Sequence, residues 1–205
     1  MRRWSGTAAL VLLAANIPAI HAQRITLDPD AAEVAGLLRS RGVAGQAVAV
    51  LTQRRGPQVQ SKLHAIADSL VAIAISYPGD DARGTRTRAA ARGALVNAAL
   101  GLGGGIPYAG GASRMVRIAV SSSSEAGGAL WGISQLPNRG QALQHMEDLA
   151  TSQHTIAWAA VELLSTSMGA PGLELLHRLY LQRAVTQPRA IEILNGVASY
   201  HGWSR

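Results

Sequence analysis

The sequence predicts an all-α fold built of stacked helix pairs, and three observations carry that expectation. The first is a six-column apolar skeleton repeated three times near the C-terminal end. Met115, Leu143 and Leu176 share one column, and Ile118, Met146 and Leu179 a second. Ala129, Ala157 and Ala190 follow, then Leu130, Trp158 and Ile191, then Ile133, Val161 and Leu194, then Leu136, Leu164 and Val197. The same pair of steps, 28 residues and then 33, serves every column, which is how stacked helix pairs read in sequence. The second observation is composition: 48% of the 205 residues are apolar, yet Phe is absent and aromatics reach only 4%. A core of Leu, Ile, Val and Ala suits close helix–helix contact better than a sandwich of sheets. The third is punctuation, because turn residues fall between the periodic segments.

Taken in order, residues 1–22 read as an export signal. Arg2 and Arg3 precede an apolar run from Thr7 to Ile20, and Ile20-His21-Ala22 offers a small residue for cleavage. The run is broken by Asn16 and Pro18 and falls short of the roughly 20 residues a spanning helix needs. The expectation is a periplasmic or extracellular protein, starting at Gln23 and without a membrane span once the signal is removed. Cys is absent, which excludes a lipid-anchored start, disulfides, thiol catalysis and Cys-based metal sites.

The rest, 23–205, is read as one repeat domain. Asp28-Pro29-Asp30 with Glu33 starts a helix that Gly42 stops. A short helix follows over Val43 to Gln53. Gln58 to Ser76 carries Leu63, Ile66, Leu70, Ile73 and Ala74 at helical spacing. Pro78-Gly79-Asp80-Asp81 is a turn, and a helix from about Arg83 to Leu102 follows. Gly101 to Pro107, with Gly110-Gly111, reads as a flexible joint; no Gly-Lys-Ser/Thr or preceding strand marks it as a phosphate loop. From Ala112 each unit is two helices. The linkers inside units are Ser121 to Ser124, Thr151-Ser152 and Thr186-Gln187-Pro188. Between units lie Pro137 to Gly140 and the longer Ser165 to Gly172, whose length explains the change of step. The first half does not fall into this register.

The acidic turn at Asp80 and Asp81, followed by Thr87-Arg88-Ala89-Ala90-Ala91-Arg92-Gly93-Ala94-Leu95, resembles the second helix of a HEAT-like repeat. The resemblance covers most of residues 29–203. It implies a short right-handed solenoid whose concave face, lined by second helices, binds other proteins. It also implies a ladder between neighbouring repeats, formed by Asp80 or Asp81 with Arg86 or Arg88.

Net charge is +7, and its excess lies upstream: residues 23–117 hold 12 basic and 6 acidic groups, residues 118–205 hold 5 and 6. GC-rich coding accounts for Arg in place of Lys; an anionic polymer bound by Arg83, Arg86, Arg88 and Arg92 is the other account. Arg88 and Arg92, four apart, share a helix face. His64, His145, His154, His177 and His201 show no i, i+4 pair of the zinc-hydrolase type. Serines before Glu125 read as helix capping with an acid in the first turn. Trp131 is either an exposed binding anchor or the filling of a gap between units. Tyr200 and Trp203 are expected to cap the last apolar face.

The resulting expectation is a non-catalytic protein–protein scaffold without cofactor or metal. Its candidate binding residues are Arg86, Arg88, Arg92, Trp131 and His154. The alternatives are a periplasmic hydrolase or lyase on an α/α framework and the Arg-rich binder of anionic polymer.

Overall fold

Turn chemistry sets the helix boundaries. The computed structural model describes residues 60–102, 107–122 and 124–204. The expected signal and its cleavage position after Ala22, the two helices between Asp28 and Gln53, and residues 103–106 of the Gly-rich segment lie outside the described residues. Among the described residues there are eight α-helices and no strand. They are α1 (Gln60–Ser76), α2 (Ala82–Leu100), α3 (Gly111–Ser121), α4 (Ala126–Ser134), α5 (Arg139–Ala150), α6 (Ala157–Thr166), α7 (Gly169–Gln182) and α8 (Pro188–Tyr200).

Side-chain caps start three of them. Asp81 accepts from Gly84 N–H at 2.7 Å, Asn138 from Gln141 N–H at 3.1 Å, and Gln187 from Ala190 N–H at 2.7 Å. Pro188 then occupies the first turn of α8, where no N–H is needed. Gly101 ends α2 in the left-handed region at φ 67, which costs glycine nothing.

The helices order themselves in two layers. α1 neighbours α3, α3 neighbours α5 and α5 neighbours α7, while α2, α4, α6 and α8 follow one another in the second layer. Each odd-numbered helix also packs on the even-numbered one that follows it. The six columns are the seam: none of their residues is exposed. Ala129, Ala157 and Ala190 are wholly buried, and the partly buried members, Leu143, Trp158, Ile191 and Val197, all pack on the core. The column two places past Ile118, Met146 and Leu179 varies for a visible reason. Val120, Asp148 and Leu181 all face solvent, where residue type is unconstrained.

Residues upstream of the repeat join the same two layers although they lack its register. α1 and α2 form a fourth pair, 17 and 19 residues long, against 9 to 14 for the helices that follow. Ala94, Leu95 and Ala98 are buried and reproduce the spacing of Ala129, Leu130 and Ile133. The longer helices displace the first-helix positions, so the alignment of columns fails there while the packing persists.

Small residues let the helices close up. A Cβ on Gly132 would sit 2.7 Å from Met115 Sδ and Val96 Cγ2, and one on Gly111 would sit 2.4 Å from Ala99 Cβ. Gly111 is therefore buried packing at the start of α3. Tyr200 corrects the expected terminal cap: it is 87% exposed. Trp203 does the capping, because the turn after α8 brings it back over His177, Tyr180 and His201, with ring centroids 4.8, 6.0 and 5.5 Å away.

Candidate functional site

The α4 surface brings together two of the sequence-expected residues, Arg92 and Trp131. Arg92 on α2 reaches across to Glu125 at the start of α4, with Nε donating to Oε2 at 2.9 Å. Glu125 is buried, its side chain only 5% exposed, so its carboxylate depends on that guanidinium. The guanidinium lies over Gly128: a Cβ there would meet Arg92 Nη1 at 1.5 Å. One helical turn on, Trp131 lies on the same face. It is 48% exposed between the buried Leu130 and Gly132, so it does not fill a gap between units. Gly127 on this face has open space around it. Gly127 therefore leaves a bared ledge of helix, bounded by the arginine that covers Gly128 and by a half-exposed indole.

These adjacent glycines should respond to alanine with opposite sign. Gly127→Ala adds helix propensity and clashes with nothing, and is expected to stabilise by about 0.5–1 kcal/mol. Gly128→Ala gains the same propensity but drives Arg92 off Glu125 and should come out net destabilising. Thermal melts of the two single variants decide it.

The remaining candidates are placed elsewhere. Arg88 stitches the turn that precedes its own helix: Nη1 donates to Tyr77 O at 2.9 Å and Gly79 O at 2.8 Å. Its distance to the exposed Asp80 is 3.9 Å, while Asp81 is occupied in capping α2. The preceding neighbour that the expected ladder would join lies outside the described residues. The pair at Asp80 and Arg88 is local, and Arg92 with Glu125 spans successive helix pairs, because the Arg92 side chain leaves α2 on the side that α4 packs. Arg86 Nε donates to Ala82 O at 2.9 Å and the side chain is exposed. Arg88 and Arg92 do share a face, but their donors serve carbonyls and Glu125. His154 is exposed in the α5–α6 linker, where Nδ1 accepts from Ile156 N–H at 3.2 Å; a neutral ring then carries its proton on Nε2.

Other contacts were not expected from the sequence. Arg189 on α8 lies over the Trp158 ring of α6, 4.0 Å from its centroid. Arg178 on α7 donates to Glu147 on α5 at 2.7 Å. Arg114 and Arg117 on α3 both reach Asp68 on α1, at 2.9 and 2.8 Å. Arginines from each of these helices thus land on the pair before. The only sequence signal was an arginine in each of those helices.

Tyr108 closes the α2–α3 connection onto α1. Its hydroxyl lies 2.7 Å from His64 Nδ1, and Arg114 sits over its ring at 5.5 Å. Burial raises the Tyr108 pKa above its ordinary 10.0; the Arg114 guanidinium opposes this and the Asp68 carboxylate adds to it. The folded state holds the phenol proton more tightly than the unfolded chain does. Its contribution is therefore complete below pH 10.0 and is lost as pH rises beyond that value. Between about pH 9 and about pH 11 the melting temperature should fall more for the native protein than for Tyr108→Phe.

A cleft of about 180 Å³ opens between α7 and α8. Its floor is Leu179, Val185 and Leu194, and Tyr180, Ile191, Asn195 and Arg183 stand around it. Among the described residues no three His, Asp or Glu gather to hold a metal, and no helix is long and apolar enough to cross a membrane.

Comparison with protein-family models, with curated proteins and with solved structures finds no match to this chain.

Proposed function

We propose that this protein is an exported, non-catalytic binding module, a HEAT-like right-handed solenoid of short helix pairs whose second-helix layer recognises another protein. The observation that carries the reading is Trp131. A half-exposed indole beside a glycine-bared ledge and a paired arginine is the usual chemistry of an interface anchor, with large apolar area, a polar handle and little conformational entropy to lose. The two-layer order of the helices supports the solenoid, since stacked pairs leave one continuous surface on each layer. Export rests on the signal-like residues 1–22.

Affinity capture of the exported form from its own cell envelope tests the proposal. Trp131→Ala should weaken recovery of the bound protein by about tenfold or more, while melting stays within about 0.5 kcal/mol of the parent. Equal recovery by the parent and the variant would overturn it. Salt-sensitive retention on heparin that Arg83→Glu and Arg86→Glu abolish would move the reading to an anionic polymer.

A further inference from the structure

We propose that the exposed stripe of α4 pairs with the same stripe of a second copy of this chain, antiparallel and across a two-fold axis, with each Trp131 seated on the other copy's Gly127. The inference rests on the reading of Trp131 as an interface anchor and names its occupant. Four solvent-facing positions carry it: Ser124, Gly127, Trp131 and Gln135. Gly127 and Trp131 lie one helical turn apart, with Ser124 just before the helix and Gln135 at its end, so spacings of three and four residues put all four on one side.

The stripe is complementary to itself. A half-exposed indole needs a shallow seat with room for a flat ring, and a Cβ on Gly127 would meet nothing within 4 Å. The knob and the seat stand on opposite sides of Ala129. A two-fold axis passing there in an antiparallel pair lays each indole on the other copy's glycine, and both needs are met at once. The same axis brings Ser124 against Gln135, a hydroxyl and an amide that can each donate and accept. None of the four is charged. Arg92, beside them over Gly128, is already paired with Glu125, so two copies meet without unpaired like charges. A different partner would have to supply a matching knob and seat at the same spacing; a second copy has both. With nine residues α4 is about 14 Å long. A contact centred on one such helix per copy falls below the roughly 1,200 Å² of standard interfaces, so the dimer is a weak and reversible one.

Sedimentation equilibrium of the exported form from about 10 μM to about 1 mM should show a monomer–dimer equilibrium and nothing larger. Trp131→Ala empties both seats and Gly127→Leu fills them, and each should weaken the dimer by about tenfold or more. Both variants should melt near the parent, since the indole is half in water and the added leucine has open space. Mixing the two variants is the decisive arm. In the mixed pair one native seat remains, and at the other the added leucine takes the space left by the lost indole. The mixed pair should therefore bind more tightly than either variant binds itself, within about threefold of the parent. A parent that stays monomeric at about 1 mM, a dimer indifferent to both variants, or a mixture no tighter than the variants alone overturns the proposal. Capture of a different envelope protein through Trp131 by a chain that stays monomeric overturns this proposal and leaves the reading above standing. A dimer that behaves as expected while capture is unchanged by Trp131→Ala does the reverse.

Discussion

Arg92→Met is expected to destabilise the protein by about 3 kcal/mol, and Glu125→Gln by clearly less, about 1 kcal/mol. The asymmetry follows from burial. Glu125 sits in the interior, so removing Arg92 leaves a carboxylate with no counter-charge and little water. Arg92 is about a quarter exposed, and when Glu125 becomes neutral the guanidinium turns toward solvent. The double variant Arg92→Met/Glu125→Gln should recover much of the loss, because the stranded charge is gone. Urea unfolding of the four proteins closes the cycle. Equal losses for the two single variants would show that the pair behaves as an exposed one. The cycle also bears on the proposed interface, since Arg92 lies over Gly128, one helical turn from Trp131.

Gly172→Val should cost about 2–3 kcal/mol and lower the melting temperature by about 5–10 °C. A Cβ on Gly172 would stand 2.2 Å from Leu164 O and 2.8 Å from Met168 Cβ. The carbonyl belongs to helix backbone, so nothing flexible can yield, and α7 must lift from the end of α6. Gly196→Ala is the control. It lies within α8 with nothing within 4 Å of the added methyl. It should stabilise by about 0.5–1 kcal/mol. A Gly172→Val protein that melts like its parent would mean that α6 and α7 are not pressed together at this point.

The helices were legible because their signals are local. Asp81 caps α2, Pro188 opens the last helix, and each column residue repeats at the spacing that puts it on one face. Trp131 was legible as a candidate because it falls one place past the buried Leu130 and Ala129 stripe. Whether it faced solvent or a neighbouring unit depended on what packs beside α4. Glu125 was legible only as a helix start, where Ser122 Oγ accepts from its N–H at 3.2 Å. As an acid at a helix start it fits a local role, yet its partner lies 33 residues upstream on another helix. Tyr200 and Trp203 are three residues apart, and that only Trp203 caps the last apolar face turns on the direction in which the chain leaves α8. That direction is set by the Trp203 N–H bond to Ala198 O.

By itself the sequence determined that the described residues fold into helices, because burial of an apolar stripe imposes a period that short-range spacing records. Only the tertiary structure decided which arginine meets which acid and which indole is left in water. Those outcomes depend on how one pair is offset against the next, and no spacing along the chain encodes the separation of two surfaces brought together by packing.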